Sequence, residues 1–237
     1  MSQASVYGDT LAKHYRAYRP PLHALILNRT LSADVTFATG VDVGCGTGYS
    51  TQALAEYCKH VHGIEPSQAM LSRALPTPDV TYQQGSAENI PLPDHSADIV
   101  TYAGVLYYAD LRRAAAELCR ICKNQARVLV YDFSVVFKPF IDLHGLRVEQ
   151  PDNAYNHRCN FAGMAGFSDD EATVERIAFS VQPGQLAHLL LSEPHLYEAY
   201  MAHYDTQAPY EGLTKELLQV QDSFNVEADI FYTMYTM

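Results

Sequence analysis

The chain has 237 residues, of which 48% are hydrophobic and 18% charged; that is enough apolar material for a packed core and excludes a largely disordered chain. Sixteen basic side chains stand against 27 acidic ones, a net charge of -11, and this argues against the basic footprint with which proteins hold nucleic acid. No run approaches the ~18 consecutive apolar residues of a membrane-spanning helix, Met1 to Thr10 lacks the basic start and apolar core of a signal peptide, and five cysteines fit a reduced cytoplasmic protein rather than a disulfide framework.

Asp9 to Tyr18 reads as a helix with Asp9 as N-cap, ended at Arg19-Pro20-Pro21 because a residue before proline avoids the helical region. Leu22 to Leu31 follows as a second amphipathic helix. Thr39 to Val43 is a short apolar run that ends in glycines, a buried strand. A helix over Tyr49 to Tyr57, a strand over Val61 to Ile64 and a helix over Ser67 to Leu75 come next. Val80 to Gln84 and Ala97 to Ala103 are strands, Leu111 to Cys122 a helix with a basic face, and Ala126 to Phe133 a strand. Strands and helices alternate from about residue 39 to 133, which implies βαβ units and a mostly parallel sheet.

Beyond Phe137 the rhythm changes. Lys138 to Phe167 scatters Pro, Gly, Asn and His without a period and reads as an irregular connection with one short helix. Thr173 to Val181 is a strand, Pro183 to Leu191 and Pro194 to Tyr204 are helices, with Pro183 at an allowed first-turn position. Leu213 to Val220 is a further helix and Val226 to Tyr235 the last strand. From Asp169 onward there are twelve acidic and two basic side chains, so the last third presents a different surface from the rest.

The sharpest motif is Val41-Asp42-Val43-Gly44-Cys45-Gly46-Thr47-Gly48-Tyr49-Ser50, which runs from a strand through three alternating glycines into a helix. Glycine turns tightly and lets a ligand approach without a Cβ in the way, and the helix that starts near Thr47 offers free N–H groups. A phosphate-binding P-loop needs a terminal Gly-Lys-Ser/Thr, and no lysine is present. A dinucleotide loop is Gly-x-Gly-x-x-Gly, whereas this is Gly-x-Gly-x-Gly. Glu65 ends the next strand, about 20 residues on, where an acidic side chain accepts the ribose hydroxyls of a nucleoside.

Together with Glu65-Pro66-Ser67 and Gly85-Ser86-Ala87-Glu88-Asn89-Ile90-Pro91-Leu92-Pro93, this loop resembles the class I S-adenosylmethionine-dependent methyltransferases. The closer resemblance is to the small-molecule group of the ubiquinone/menaquinone-biosynthesis and trans-aconitate methyltransferases. It covers residues 7 to 133, and Tyr7, Ala12, Tyr15 and Arg19-Pro20 match an opening common in that group. The resemblance implies an α/β fold with a doubly wound, mostly parallel seven-stranded sheet, a final antiparallel strand and a helical cap. It implies a single methyltransferase domain over 1–237, with N-terminal cap helices in 1–32, a cofactor-binding core in 36–137, and a connection and helical cap in 138–222.

The cofactor so implied is S-adenosylmethionine, with S-adenosylhomocysteine as product. Asp42, Gly44, Cys45, Gly46, Thr47 and Gly48 would surround its methionine part, with Cys45 contributing backbone rather than thiol. Glu65 would bind the ribose. Pro66, Ser67 and Met70 would lie against one side of adenine, and Ser86, Ala87 and Glu88 would close the other. Ser86 stands where many relatives have Asp. Ala103 and Gly104 would flank the methionine part near the reacting centre, with Tyr15 and Arg19 folded over the top.

An acceptor of the O–H or N–H type calls for a base; His144 is the first candidate and His157 the second, and Tyr107 is the other candidate catalytic side chain. Tyr107, Tyr108, His144 and His157 are the candidate substrate contacts. No Asn/Asp-Pro-Pro-aromatic motif follows the fourth strand, which disfavours amino-methylation of DNA or glutamine. Cys119-x-x-Cys122 has no second pair, so no metal site is expected. Tyr197, Tyr200 and Tyr204 fall at helical spacing and suit core packing, a dimer face or an aromatic cap. The expected function is methyl transfer to an O, N or C atom of a small-molecule metabolite by a cytoplasmic monomer or homodimer, with no nucleic-acid or membrane partner. A protein or tRNA methyltransferase and a non-catalytic S-adenosylmethionine-binding module remain the alternatives.

Overall fold

The computed structural model describes residues 10–11, 13–74, 77–148, 155–168 and 170–237. Tyr7, Asp9, Ala12 and the end of the helix expected at Leu75 lie outside the described residues. Residues 10–11 and 13–17 are helical. The elements that follow are α1 (Leu22–Thr30), β1 (Phe37–Val43), α2 (Tyr49–Ala55), β2 (Cys58–Glu65), α3 (Gln68–Leu71), β3 (Val80–Gln84), β4 (Ala97–Ala103), a 3-10 turn (Leu106–Tyr108), α4 (Leu111–Ile121) and β5 (Cys122–Val135). Then come α5 (Lys138–Leu143), β6 (Thr173–Val181), α6 (Pro183–Leu191), α7 (Pro194–Tyr204), α8 (Tyr210–Val220) and β7 (Phe224–Thr236).

The seven strands form one sheet in the order β3-β2-β1-β4-β5-β7-β6. β1 pairs in parallel with β2 and β4, β2 with β3, and β4 with β5. The last strand runs the other way: Gln125 N–H donates to the Met237 carbonyl and Val136 N–H to the Glu227 carbonyl, so position rises on β5 as it falls on β7. This is the mostly parallel sheet with an antiparallel strand that the alternation of elements implies.

The chain divides into two compact units. One consists of Pro21–Ser134, Tyr155–Glu175 and Ile230–Met237. Its β1 reads as continuous burial from Gly40 to Val43 because a parallel strand is covered on both faces. α4 is opened by Asp110, whose carboxylate accepts the Arg112 and Arg113 N–H groups. It buries Ala114, Ala115, Leu118 and Ile121 along one stripe. These side chains pack with Val41, Ile64, Val100, Tyr102, Val128, Phe161 and Tyr235 in one core.

The other unit consists of Met1–Pro20, Val135–Ala154 and Arg176–Asp229. Its interior is made by Leu186, Leu190, Leu196, Tyr197, Tyr200, Leu213 and Leu217. Tyr197 and Tyr200 are buried in α7; the Tyr197 hydroxyl donates to the Gln207 carbonyl at 2.8 Å, and Tyr204 bonds Glu216. Packing therefore accounts for the helical spacing of these tyrosines.

Of the boundaries that differ from the sequence reading, two do so for identifiable local reasons. β5 begins at Cys122 rather than Ala126, because between Ala97↔Cys122 and Ile99↔Arg127 the pairing slips through a bulge over the polar stretch Lys123-Asn124-Gln125. Gln125 takes a left-handed φ of 68° there. α3 is a single turn, capped by Ser67, whose Oγ accepts the Met70 N–H. Among the described residues no helix is long and apolar enough to cross a membrane.

Candidate functional site

The parallel registers bring five strands side by side at the edge where β1 to β4 have their carboxyl ends: Val43 opposite Ile64 and Tyr102, Glu65 opposite Gln84, and Ala103 opposite Tyr131. In an open α/β sheet the ligand crevice lies outside these ends, where the strand order reverses. Here β1 is the reversal point, with β2 on one side and β4 on the other.

Asp42 fixes the base of the loop. It is fully buried, and its two oxygens accept three hydroxyls: Ser50 at 2.6 Å and Thr51 at 2.7 Å on Oδ2, Thr101 at 2.9 Å on Oδ1. Burial drives its pKa above the ordinary carboxylate value, and the three hydroxyl bonds oppose that rise. Asp42 thus ties β1 to α2 and β4 and sets the start of the loop.

The loop itself is closed by backbone bonds. Gly44 and Cys45 both donate to the Ile64 carbonyl, at 2.7 and 3.1 Å, and Gly48 donates to the Cys45 carbonyl at 2.8 Å. The glycines serve different purposes. At Gly44, with φ +73°, a Cβ would stand 2.6 Å from Val105 Cγ1, so this glycine is demanded by packing. At Gly46, with φ +55°, a Cβ would meet nothing nearer than Met70 Sδ at 3.7 Å among the described residues, so the loop there faces open space. The Cys45 thiol is buried, and burial with the nearby Asp42 and Glu65 pushes its pKa up to about 12. It is an inert thiol at neutral pH.

Glu65 sits across from that open face. Its Oε2 accepts the Gly46 N–H at 3.1 Å and its Oε1 the Ser67 N–H at 2.9 Å. One carboxylate therefore spans the glycine loop and the start of α3. Ser67 caps α3, and Met70 is 48% exposed on it. A cleft beside them is lined by Val43, Gly44, Pro66, Ser86, Ala87, Glu88, Val105 and Tyr108.

The wall formed by Ser86 to Glu88 is held from behind. Ser86 and Asn89 exchange backbone bonds at 3.1 Å, and Glu88 Oε1 accepts the Asp110 N–H at 2.8 Å. Arg120 of α4 donates to the Ile90 and Leu92 carbonyls, while Glu117 accepts the Ile90 N–H and pairs with Arg120. The bonds from Arg120 hold the Glu117 carboxyl below its usual range. Part of the basic face read on this helix is thus spent on securing the wall.

On the other side of Val105, a second small cavity is lined by Gly104, Tyr107, Tyr131, Asp132, Tyr155 and His157. Ala103 ends β4, and Gly104 has φ +67°. The Tyr155 hydroxyl donates to the Gly104 carbonyl at 2.8 Å. His157 Nδ1 lies 2.8 Å from Asp132 Oδ2. Asp132 and Tyr155 are absent from the sequence-derived candidates. An acid near the carboxyl end of a parallel strand, Val130-Tyr131-Asp132, was the available signal for the first; the second has none, since its position comes from an irregular connection.

Asp42, Gly44, Cys45, Gly46, Thr47, Gly48, Glu65, Pro66, Ser67, Met70, Ser86, Ala87, Glu88, Ala103 and Gly104 all fall in one unit, as do Tyr107, Tyr108 and His157. Tyr15, Arg19 and His144 fall in the other. There the Arg19 guanidinium lies 3.7 Å over the Tyr15 ring. His144 is buried, with Nδ1 2.9 Å from both the Phe140 carbonyl and the Tyr200 hydroxyl. Cys119 and Cys122 are free cysteines. Among the described residues no group of three or more His, Cys, Asp or Glu is placed to hold a metal ion.

The strand order, the antiparallel last strand and the glycine loop at the reversal point together define the Rossmann-like fold of the class I methyltransferases. Residues 41–130 match the family described as a methyltransferase domain. Among curated proteins, a methyltransferase candidate of Dictyostelium discoideum is 29% identical over 131 residues, 54% of this chain and 49% of that protein. The uncharacterized methyltransferase YcgJ of Bacillus subtilis is 32% identical over 110 residues, 43% of each. The ubiquinone/menaquinone biosynthesis C-methyltransferase UbiE of Campylobacter jejuni is 26% identical over 127 residues, 50% of this chain and 53% of that one. The chain thus spans about half the length of the curated relatives it matches. A solved structure from Anaeromyxobacter dehalogenans, a candidate type II methyltransferase, shares the fold with a TM-score of 0.62 at 21% identity, over 92% of this chain and 96% of that one.

Proposed function

We propose that this chain is an S-adenosylmethionine-dependent methyltransferase that acts on a small-molecule metabolite. The observation that carries the reading is the pairing of an open Gly46 with the Glu65 carboxylate at the reversal point of the sheet. The fit to the cofactor is chemical as well as spatial. A ligand backbone can lie on Gly46 because no Cβ occupies that space, and Glu65 is a nearby hydroxyl acceptor. The domain match over residues 41–130 supports the same reading.

In this reading the loop Gly44 to Gly48 holds the methionine part, above the base fixed by Asp42. Glu65 takes the ribose hydroxyls. Pro66, Ser67 and Met70 flank adenine opposite Ser86, Ala87 and Glu88, with Ala103 and Gly104 toward the reacting end. The bound cofactor supplies an activated methyl group; the protein supplies position and exclusion of water. A net charge of -11 favours a metabolite over a nucleic acid, and cysteines without disulfide partners suit a cytoplasmic location.

The test is turnover. Purified protein is incubated with S-adenosylmethionine carrying a deuterated methyl group and with metabolite extracts, and products are read by mass spectrometry. A labelled small molecule is expected. Binding of both cofactor forms with no labelled product would show a non-catalytic binding module, and label on protein or tRNA alone would overturn the substrate class.

A further inference from the structure

We propose that His157, oriented by Asp132, is the base that removes a proton from the acceptor, and that the acceptor is a phenol. The inference rests on the methyltransferase reading and deepens it.

Asp132 stands one residue beyond Tyr131, which pairs with Ala103, so it lies just past the end of β4, three residues before β5 ends at Val135. Its Oδ2 is 2.8 Å from His157 Nδ1, and its Oδ1 accepts the Phe133 N–H at 2.8 Å. The Phe231 ring stacks on the imidazole at 5.2 Å and 11°. The ring is therefore held both in its plane and on its face. A carboxylate on Nδ1 fixes the tautomer whose lone pair is on Nε2. Among the described residues the hydrogen bond of the His157 ring is the one through Nδ1, which leaves Nε2 without a partner, and the side chain is 31% exposed. The other titratable groups of this cavity are Asp132, Cys159 and the phenols of Tyr102, Tyr107, Tyr131 and Tyr155. Burial, reinforced by the charge of Asp132, raises the Tyr155 pKa, so that hydroxyl stays a donor. Glycine at 104 is part of the arrangement: a Cβ there would stand 3.0 Å from Asp132 Oδ1.

The acceptor class follows from the surroundings and from acidity. Tyr107, Tyr108 and Tyr155 cluster with ring centroids 4.8 to 5.7 Å apart, and Tyr107 and Tyr108 are 41% and 77% exposed. Exposed rings in such a cluster suit stacking on another planar ring. An imidazole is a competent base for a phenol, whose pKa is about 10, and the exposed rings select a planar aromatic acceptor over an aliphatic one. In the step, the acceptor O–H bond breaks, its proton bonds to His157 Nε2, and the electron pair stays on oxygen as the nucleophile. The imidazolium returns the proton to water after the product leaves.

The test uses the protein saturated with S-adenosylhomocysteine and 4-nitrophenol as a chromogenic probe. The wild type is expected to bind the probe and lower its apparent pKa, read as phenolate absorbance. His157→Gln should abolish that shift and Asp132→Asn should reduce it, with S-adenosylhomocysteine affinity unchanged in both. With S-adenosylmethionine and a panel of phenols, His157→Gln should lose about 100-fold or more in kcat. Normal S-adenosylhomocysteine binding with no phenol bound or methylated would overturn the inference and leave the methyltransferase reading standing, as would full activity in His157→Gln. Failure of the wild type to bind S-adenosylhomocysteine would overturn both.

Discussion

Glu65 accepts the Gly46 amide at 3.1 Å, so the residue read as a ribose acceptor also shapes the loop that faces the ligand. Its second oxygen holds the Ser67 amide at 2.9 Å, at the N-cap of α3. The carboxylate is thus positioned by two backbone donors before any ligand arrives, which lowers the ordering cost of binding.

Glu65→Ala removes a charged acceptor and frees both amides. Affinity for S-adenosylhomocysteine should fall by about 10- to 150-fold, roughly 1.5–3 kcal/mol. Calorimetric titration measures this directly. An unchanged affinity would remove Glu65 from the site.

Gly44 is a packing glycine. Gly44→Ala places a Cβ 2.6 Å from Val105 Cγ1 in a left-handed conformation. Overpacking of this kind costs about 1–3 kcal/mol, and the backbone strain about 1–2 kcal/mol more. Urea denaturation should show the loss. Val105→Ala added to Gly44→Ala should recover the packing part and leave the backbone part; no recovery would show that Val105 is not the obstacle.

His14 gives the other unit a pH dependence. It lies 2.9 Å from His188 and beside the rings of Tyr197 and Tyr210. Burial, then the neighbouring His188 and Lys13, hold its pKa down to about 4. Its folded pKa is below the unfolded value of 6.5, so the unfolded chain takes up the proton first as pH falls. The contribution to stability is present above pH 6.5 and is lost between 6.5 and 4. His14→Gln should flatten the fall in melting temperature across that window. Parallel curves for the variant and the parent would contradict the assignment.

The core of the fold was legible because its strands are short apolar runs set between amphipathic helices, and β3, β4, β6, α6 and α7 have the bounds the sequence implies. The glycine loop and Glu65 were legible for the same reason: their chemistry is local and their spacing fixed. The start of β5 was hidden because a bulge carries Lys123-Asn124-Gln125 into a strand. The pairing of Asp132 with His157 was hidden because it joins residues 25 apart across an irregular connection. His144 shows the converse. A histidine in an unpatterned stretch reads as a free base, yet its ring is buried against Tyr200.

The central claim is that the open face at Gly46 receives S-adenosylmethionine, and calorimetric titration with S-adenosylhomocysteine tests it most directly. The wild type should bind one equivalent. Gly46→Val should abolish the heat while circular dichroism shows the fold intact: among the described residues a Cβ there meets Met70 Sδ at 3.7 Å, so the branched side chain enters the open face, and the left-handed φ of +55° adds a backbone strain of about 1–2 kcal/mol. Binding to a folded Gly46→Val protein with parental affinity would contradict the account.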